Sequence, residues 1–130
     1  MKNLFLLIIL ISFASCAKNL TVSLGDGNGR ITMKPTKPTP KTYVTINDKL
    51  IVDNKNVKSV TITGLEDGDK KIVYKSESSV YKNPLEVEKV MTVKNGSDKT
   101  EIITVPPYSS AYWIFIFASP AISLITLLAL

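Results

Sequence analysis

The side chains that most often carry catalysis at neutral pH are nearly missing from this sequence. It has no histidine, and its one cysteine, Cys16, lies close to the start of the chain. The usual general base, a cysteine nucleophile with its base and a Cys/His zinc cluster are therefore all excluded. Carboxylates, lysines and hydroxyls remain, but no two of them stand out as a nucleophile with its base. We expect a non-catalytic protein with no catalytic residue, cofactor or metal.

Two acidic segments are candidate calcium sites. Asp26 to Ile31 (DGNGRI) looks like the centre of an EF-hand loop, but in that register the first and last ligands would be Leu24 and Pro35, which carry no carboxylate. Glu66, Asp67 and Asp69 form an acidic turn that could hold calcium weakly. Because Asp and Gly are also the residues that tight turns require, we expect plain turns in both places.

Two sequons offer acceptors for N-linked glycans. They are Asn19-Leu20-Thr21 and Asn95-Gly96-Ser97. Such sequons have a function only in a chain that enters the secretory pathway. We therefore treat Asn19 and Asn95 as glycosylation candidates that depend on the nature of the N-terminal segment.

The N-terminal segment has the order of a secretory signal peptide. Lys2 is followed by the apolar run 4–11 (LFLLIILI) and the small-residue stretch 12–17 (SFASCA). The apolar run is too short to cross a bilayer, which takes roughly 20 residues. We expect cleavage near Cys16 or Ala17; an uncleaved anchor or a buried strand is the alternative. The residues Phe13 to Cys16 also resemble a bacterial lipobox, which would make Cys16 a lipidated residue and the chain a lipoprotein.

The C-terminal segment 111–130 (AYWIFIFASPAISLITLLAL) is apolar throughout and contains no charged residue. One interpretation is a GPI-attachment signal, with attachment at Asn95, Gly96 or Ser97 and a polar spacer before the tail. The other is a retained transmembrane helix, with 106–110 as the juxtamembrane spacer and with Tyr112 and Trp113 in the interfacial aromatic belt. Both interpretations place the protein on a membrane.

Between the two ends the sequence predicts an all-β fold. β-branched and threonine-rich runs alternate with clusters of Gly, Asn and Asp, and no helical periodicity is present. Segment 34–42 (KPTKPTPKT) should run extended outside the sheet interior, as a solvated connection, an O-glycosylated spacer at Thr36 and Thr39, or a proline-rich ligand. Expected strands are 19–24, 30–33, 43–46, 50–52, 57–62, 71–75, 85–93 and 101–105; the turns expected between the later ones are 47–48, 53–56, 66–69 and 83–84.

The alternating pattern favours a small antiparallel sandwich. Apolar residues of one face would share a core: Val60, Ile62, Leu65, Ile72, Tyr74, Val87 and Val93. The stretch 62–69 (ITGLEDGD), followed by Ile72 and Tyr74, is similar to the strand-turn-strand corner of immunoglobulin-like or fibronectin type III modules. The expected divisions are a signal peptide (1–17), a β-hairpin (18–34), a Pro/Thr/Lys linker (35–42), a β-sandwich (43–105), a spacer (106–110) and a hydrophobic tail (111–130).

These features predict a cell-surface protein on the extracellular face of the plasma membrane. The net charge is +5, but the basic residues are scattered among acidic ones, so we expect no nucleic-acid partner. The expected function is that of an adhesion, coat or antigen-type binding module with an extracellular protein or glycan as ligand. The alternative is a single-pass type I accessory subunit of a membrane complex, because small residues follow one another in the tail: Ala118, Ser119, Ala121 and Ser123.

Overall fold

The computed structural model describes residues 16–77 and 83–118. The expected signal peptide and most of the hydrophobic tail lie outside these residues. The described chain forms seven strands followed by one short helix, α1 (110–118). The strands are β1 (Lys18–Ser23), β2 (Gly29–Pro35), β3 (Thr39–Ile46), β4 (Lys49–Leu65), β5 (Gly68–Ser76), β6 (Leu85–Val93) and β7 (Asp98–Ile103). The all-β prediction is confirmed.

The fold is built on one long bent hairpin. β3 and β4 are joined by a two-residue turn at Asn47 and Asp48, which both have positive φ (47° and 64°), as a type I′ turn requires. β4 is long enough to pair antiparallel first with β3 and then with β2, so β2 and β3 follow each other along the same partner strand. The turn that the sequence predicts at 47–48 is therefore present, and it sets the register of the hairpin.

The turn predicted at 53–56 is wrong, because these residues lie inside β4. The β3–β4 register shifts near this point, and Asn54 has a φ of 48°. An Asn in the left-handed region with a shifted register indicates a local irregularity that bends a strand without ending it. The Asp and Asn residues of segment 53–56 therefore mark the bend of β4 and not a turn.

The remaining strands extend the sheet from this hairpin. β1 pairs in parallel with β4, β7 pairs in parallel with β2, and β5 and β6 continue antiparallel from β3. The strand order is β6-β5-β3-β4-β2-β7, with β1 on the second edge of β4. β1 and β2 were expected to form a hairpin with each other, but each pairs with β4 instead. The seven strands form one curved sheet, and the two-sheet sandwich is not confirmed.

One apolar core lies inside the curve of the sheet. The predicted core residues are buried, with Val87 partly buried against them, so the prediction of a shared apolar face is confirmed. The core also takes residues that the sequence did not assign to it: Ile31, Met33, Val44, Ile46, Val52, Val57, Leu85 and Ile103.

The proline-rich segment contributes to this core, whereas the sequence predicts that it runs outside the sheet. β3 begins at Thr39, and both Thr39 and Thr42 are buried. The Thr39 hydroxyl lies 2.5 Å from the Tyr74 hydroxyl and 2.8 Å from that of Thr42. Ser76 Oγ donates to the Pro40 carbonyl at 2.6 Å. Because its hydroxyl is used in this way, Thr39 is not available to carry a glycan, and only Thr36 at the bend stays exposed.

The sheet has two distinct ends. At the basal end, the register aligns Lys18 and Thr39 with Val57, and Pro35 with Ile103. At the distal end are the connections 24–28, 47–48, 66–67 and 94–97, each of which follows or precedes a paired strand end. Chain entry at Lys18 and chain exit after Ile103 therefore both lie at the basal end.

Candidate functional site: the basal helix and the distal loops

Helix α1 leaves the basal end and exposes large apolar side chains. The exposed fraction reaches 73% for Phe117 and 66% for Ile114, and Trp113, Phe115 and Ile116 are also exposed. Aromatic rings run along this region: Tyr108 stacks on Tyr112 (centroids 4.2 Å apart), and Trp113 stacks on Phe117 (6.2 Å). A contiguous apolar surface of this kind is typical of a membrane or protein contact. Within residues 16–77 and 83–118, no helix is both long enough and apolar enough to cross a membrane.

The segment before α1 is fastened to the sheet. Thr36 N donates to the Ile103 carbonyl at 2.9 Å, and its hydroxyl accepts from Val105 N at 3.0 Å. Asn83 Nδ2 donates to the Pro107 carbonyl at 3.1 Å, and the Lys37 ammonium lies 5.1 Å from the centroid of the Tyr108 ring. The exposed bend of the proline-rich segment therefore holds the base of α1 against the domain.

At the opposite end, the loops form a shallow depression of mixed charge. It is lined by Gly25, Asn47, Lys49, Gly64, Glu66 and Lys70, among others. Asn47 is held from two sides, since its N–H donates to the Lys71 carbonyl (2.8 Å) and its side-chain oxygen accepts from Lys71 N (2.9 Å). Such held loops can present side chains to a ligand at small entropic cost.

The candidate calcium ligands do not converge on one point. Glu66 and Asp67 are exposed at the β4–β5 turn, whereas the Asp69 carboxylate accepts a hydrogen bond from Thr92 Oγ1 at 2.6 Å. Asp26 lies in the β1–β2 connection and is exposed. Among the described residues, no three His, Cys, Asp or Glu side chains are placed to hold a metal ion.

The residues predicted for signal cleavage, N-glycosylation and GPI attachment lie at the surface or in turns. Cys16, which is exposed, and Ala17 precede β1 at the basal end. Asn19 is exposed on β1, and its side-chain oxygen accepts from Ser59 Oγ at 2.9 Å. Neither cleavage near residue 16 nor a glycan at Asn19 would require the sheet to open.

The second sequon lies at the distal end, in the tight turn between β6 and β7. The Asn95 side chain accepts from Asn28 Nδ2 at 3.1 Å, Gly96 has a φ of 71°, and Ser97 Oγ accepts from Lys94 N at 3.2 Å. The three candidate residues for GPI attachment, Asn95, Gly96 and Ser97, therefore lie immediately before β7.

Two features of these ends were missed by sequence reasoning. One is the attachment of the 104–108 segment through Thr36, and the other is the meeting of Gly25 with Gly64 beside the distal depression. Both join residues far apart in sequence, so period-two patterning carries no signal for them. Compared with protein-family models, with curated proteins and with solved structures, the chain matches none. Its function is therefore inferred from its own residues and fold.

Proposed function

We propose that this chain is a non-catalytic surface protein, anchored in a membrane by its C-terminal apolar segment, that binds an extracellular protein or glycan through its distal loops. The observation that carries the proposal is helix α1, which follows β7 after the segment 104–109 and exposes Trp113, Ile114 and Phe117. The burial of apolar area in lipid would remove this surface from water. The aromatic rings at 108, 112 and 113 suit the interface between lipid and water, where Tyr and Trp are enriched.

The position of β7 favours a retained anchor over GPI attachment. Attachment at Asn95, Gly96 or Ser97 would remove everything after that residue, including β7. β7 pairs with β2 from Arg30 to Pro35 and contributes the buried Ile103. Removal of a paired strand with a core side chain would open the fold, so we propose a single span of type I orientation after an N-terminal signal peptide.

The distal loops are the proposed ligand surface because they lie at the end of the sheet away from α1. In this proposal, the seven-stranded domain acts as a small sandwich-like spacer between the membrane and the ligand. Asn19 on the outer edge of β1 and Asn95 at the distal end are exposed, as glycan acceptors on a surface protein would be.

The test is to express the full chain in eukaryotic cells with an epitope tag inserted after Ala17. We expect the tag to be accessible on intact cells, to remain with the membrane through carbonate extraction, and to resist a phosphatidylinositol-specific phospholipase that releases a control protein. Release by the phospholipase would establish a GPI anchor instead. An inaccessible tag or a chain in the soluble fraction would overturn the proposal.

A matched pair of variants isolates the role of α1. Ile114→Glu/Phe117→Glu places two charges on the exposed helix, and Leu50→Glu/Val90→Glu places two charges on exposed apolar residues of the sheet. We expect only the first variant to lose membrane retention, because charge is costly in lipid but not at a solvated strand surface. If the chain is instead an accessory subunit, a partner with its own membrane span should copurify in mild detergent.

A further inference from the structure

The basal end carries a cluster of exposed lysines. Lys18, Lys41 and Lys55 line one shallow depression, together with Leu20 and Cys16. The three lysines come from β1, β3 and β4, and the register brings them together: Lys18 pairs with Val57, and Thr42, next to Lys41, pairs with Lys55. All three side chains belong to exposed residues.

Other lysines extend this cluster toward helix α1. Lys37 lies over the Tyr108 ring, and Lys34 is exposed on β2 opposite Ile102 of β7. Lys58, which directly follows the paired residue Val57, is exposed as well. The basic residues therefore reach from the start of β1 to the base of the helix.

Few carboxylates face these lysines. Glu77 lies 3.9 Å from the Lys41 ammonium, and Asp53 is exposed on β4 near the bend. Exposed acidic residues are more frequent around the distal end: Asp26, Asp48, Glu66, Asp67, Asp69 and Asp98. The basal end, from which α1 leaves, therefore carries an excess of lysines, whereas the distal end carries exposed residues of both signs, Arg30, Lys49 and Lys94 among them.

We propose that the basal lysines bind anionic lipid head groups beside the anchor, so that the domain stands with its base on the membrane. This inference rests on the proposed membrane anchoring and adds the lipid chemistry and the orientation. Lysines near an anionic bilayer are attracted to it, and the attraction falls off within a Debye length, about 8 Å at physiological ionic strength. Lys37, which lies over the Tyr108 ring that stacks on Tyr112, joins the lysine cluster to the helix that would enter the bilayer.

The test compares lysine acetylation in two kinds of nanodisc. The full chain is reconstituted in phosphatidylcholine alone or in phosphatidylcholine with phosphatidylglycerol, and coelution with the nanodisc is checked first. We then expect Lys18, Lys41, Lys55 and Lys58 to react roughly threefold more slowly with a neutral acetylating reagent in the anionic nanodisc, and high salt to abolish the difference. Lys49, Lys70 and Lys94 at the distal end serve as internal controls and should react equally in both.

Two triple variants with the same charge change complete the test. In Lys18→Gln/Lys41→Gln/Lys55→Gln, protection of Lys58 in the anionic nanodisc should be lost. In Lys49→Gln/Lys70→Gln/Lys94→Gln it should persist. Equal reactivity of the basal lysines in both lipids, or equal protection of both ends, would overturn the lipid contact while leaving the anchor intact. A chain that fails to coelute with either nanodisc would overturn the anchor and the lipid contact together.

Discussion

At the residue scale, the buried hydroxyl cluster of Tyr74, Thr39 and Thr42 is the main polar feature of the core. Tyr74 and Thr42 have no exposed surface, and the three hydroxyls bond to one another. No buried side-chain nitrogen or oxygen of the described residues lacks a hydrogen-bond partner. A satisfied buried network fixes one arrangement of the chain, because other arrangements leave polar groups unpaired. Here it fixes the start of β3 on β5.

The first prediction concerns the Tyr74 hydroxyl. Tyr74→Phe keeps the ring but removes one hydrogen bond, so the free energy of unfolding should fall by about 1 kcal/mol at neutral pH. Urea denaturation in mild detergent, followed by circular dichroism, measures this change. Tyr108→Phe, whose ring stays stacked on Tyr112, is the control and should change it by less than about 0.5 kcal/mol.

The same side chain predicts a pH dependence. Burial raises the Tyr74 pKa above its ordinary value of 10.0, and the hydrogen bonds from Thr39 and Thr42 oppose this only in part. The folded chain therefore holds this proton more tightly, and the resulting stability is complete below about pH 10 and is lost as the pH rises through the folded pKa. The stability difference between the wild type and Tyr74→Phe should shrink at high pH. A difference that stays constant would contradict the assignment.

Gly64 gives a prediction about backbone geometry. It has a φ of 73°, and a Cβ there would collide with the carbonyl oxygen of Gly25. Gly96 has nearly the same φ, 71°, but open space around it. Gly96→Ala should therefore cost only the conformational strain, about 1 to 2 kcal/mol, whereas Gly64→Ala adds a clash. Equal thermal midpoints for the two variants would show that the close approach of Gly25 and Gly64 is not needed.

At the scale of the element, β7 joins the domain to its anchor. Alternate residues of this strand face opposite sides of the sheet, so Ile103 is 1% exposed while its neighbour Ile102 is 66% exposed. β6 and β7, the first and last strands in the order, are connected by side chains: Lys89 pairs with Glu101, and Lys99 donates to the Thr92 carbonyl. β7 therefore contributes a side chain to the core, and it is also an edge strand whose contacts with β6 are made by side chains.

The adjacent isoleucines give a matched test of the role of β7. Ile103→Ala removes buried methyl groups and should lower the free energy of unfolding by about 2 to 5 kcal/mol. Ile102→Ala, at an exposed position, should change it by less than about 0.5 kcal/mol. Denaturation midpoints of the two variants provide the measurement, and similar losses would mean that β7 is not packed as described.

At the scale of the whole molecule, the bent hairpin makes one cooperative unit. β4 pairs with β1, β2 and β3, and a single apolar core includes residues from β2 to β7. The chain has only one cysteine, so no internal disulfide adds to this packing. The free energy of unfolding must come from the core and the strand pairing alone.

We therefore predict a single unfolding transition for residues 18–105. Circular dichroism of the sheet and hydrogen exchange of amides in β1 and β6, at opposite edges, should report the same midpoint in denaturant. Val60→Ala in β4 and Val93→Ala in β6 should both lower that common midpoint. Two separated transitions would instead indicate that the segments 18–34 and 43–105 fold as independent units.

Local chemistry let the sequence predict much of the fold. Period-two alternation predicts most of the strands and part of their core face, and Asn47-Asp48 indicates a turn because Asn and Asp tolerate positive φ. The same rule failed at 53–56, where β-pairing on both sides of the irregularity keeps the chain extended. Local pattern also failed at 35–42. Prolines there predict a solvated linker, but Thr39 and Thr42 are buried and Thr39 hydrogen-bonds to Tyr74.

The sequence by itself determined the all-β class, the apolar segments at both ends and the lack of histidine, because these depend on composition and local pattern. Only the tertiary structure decided which strands pair, because pairing of β1 and β7 with distant partners depends on long-range packing that local pattern does not encode. It also decided that the three basal lysines and helix α1 share one end of the sheet. Strand pairing along β4 places residues 18, 41 and 55 at this end, and the pairing of β7 with β2 places the start of the helix there as well.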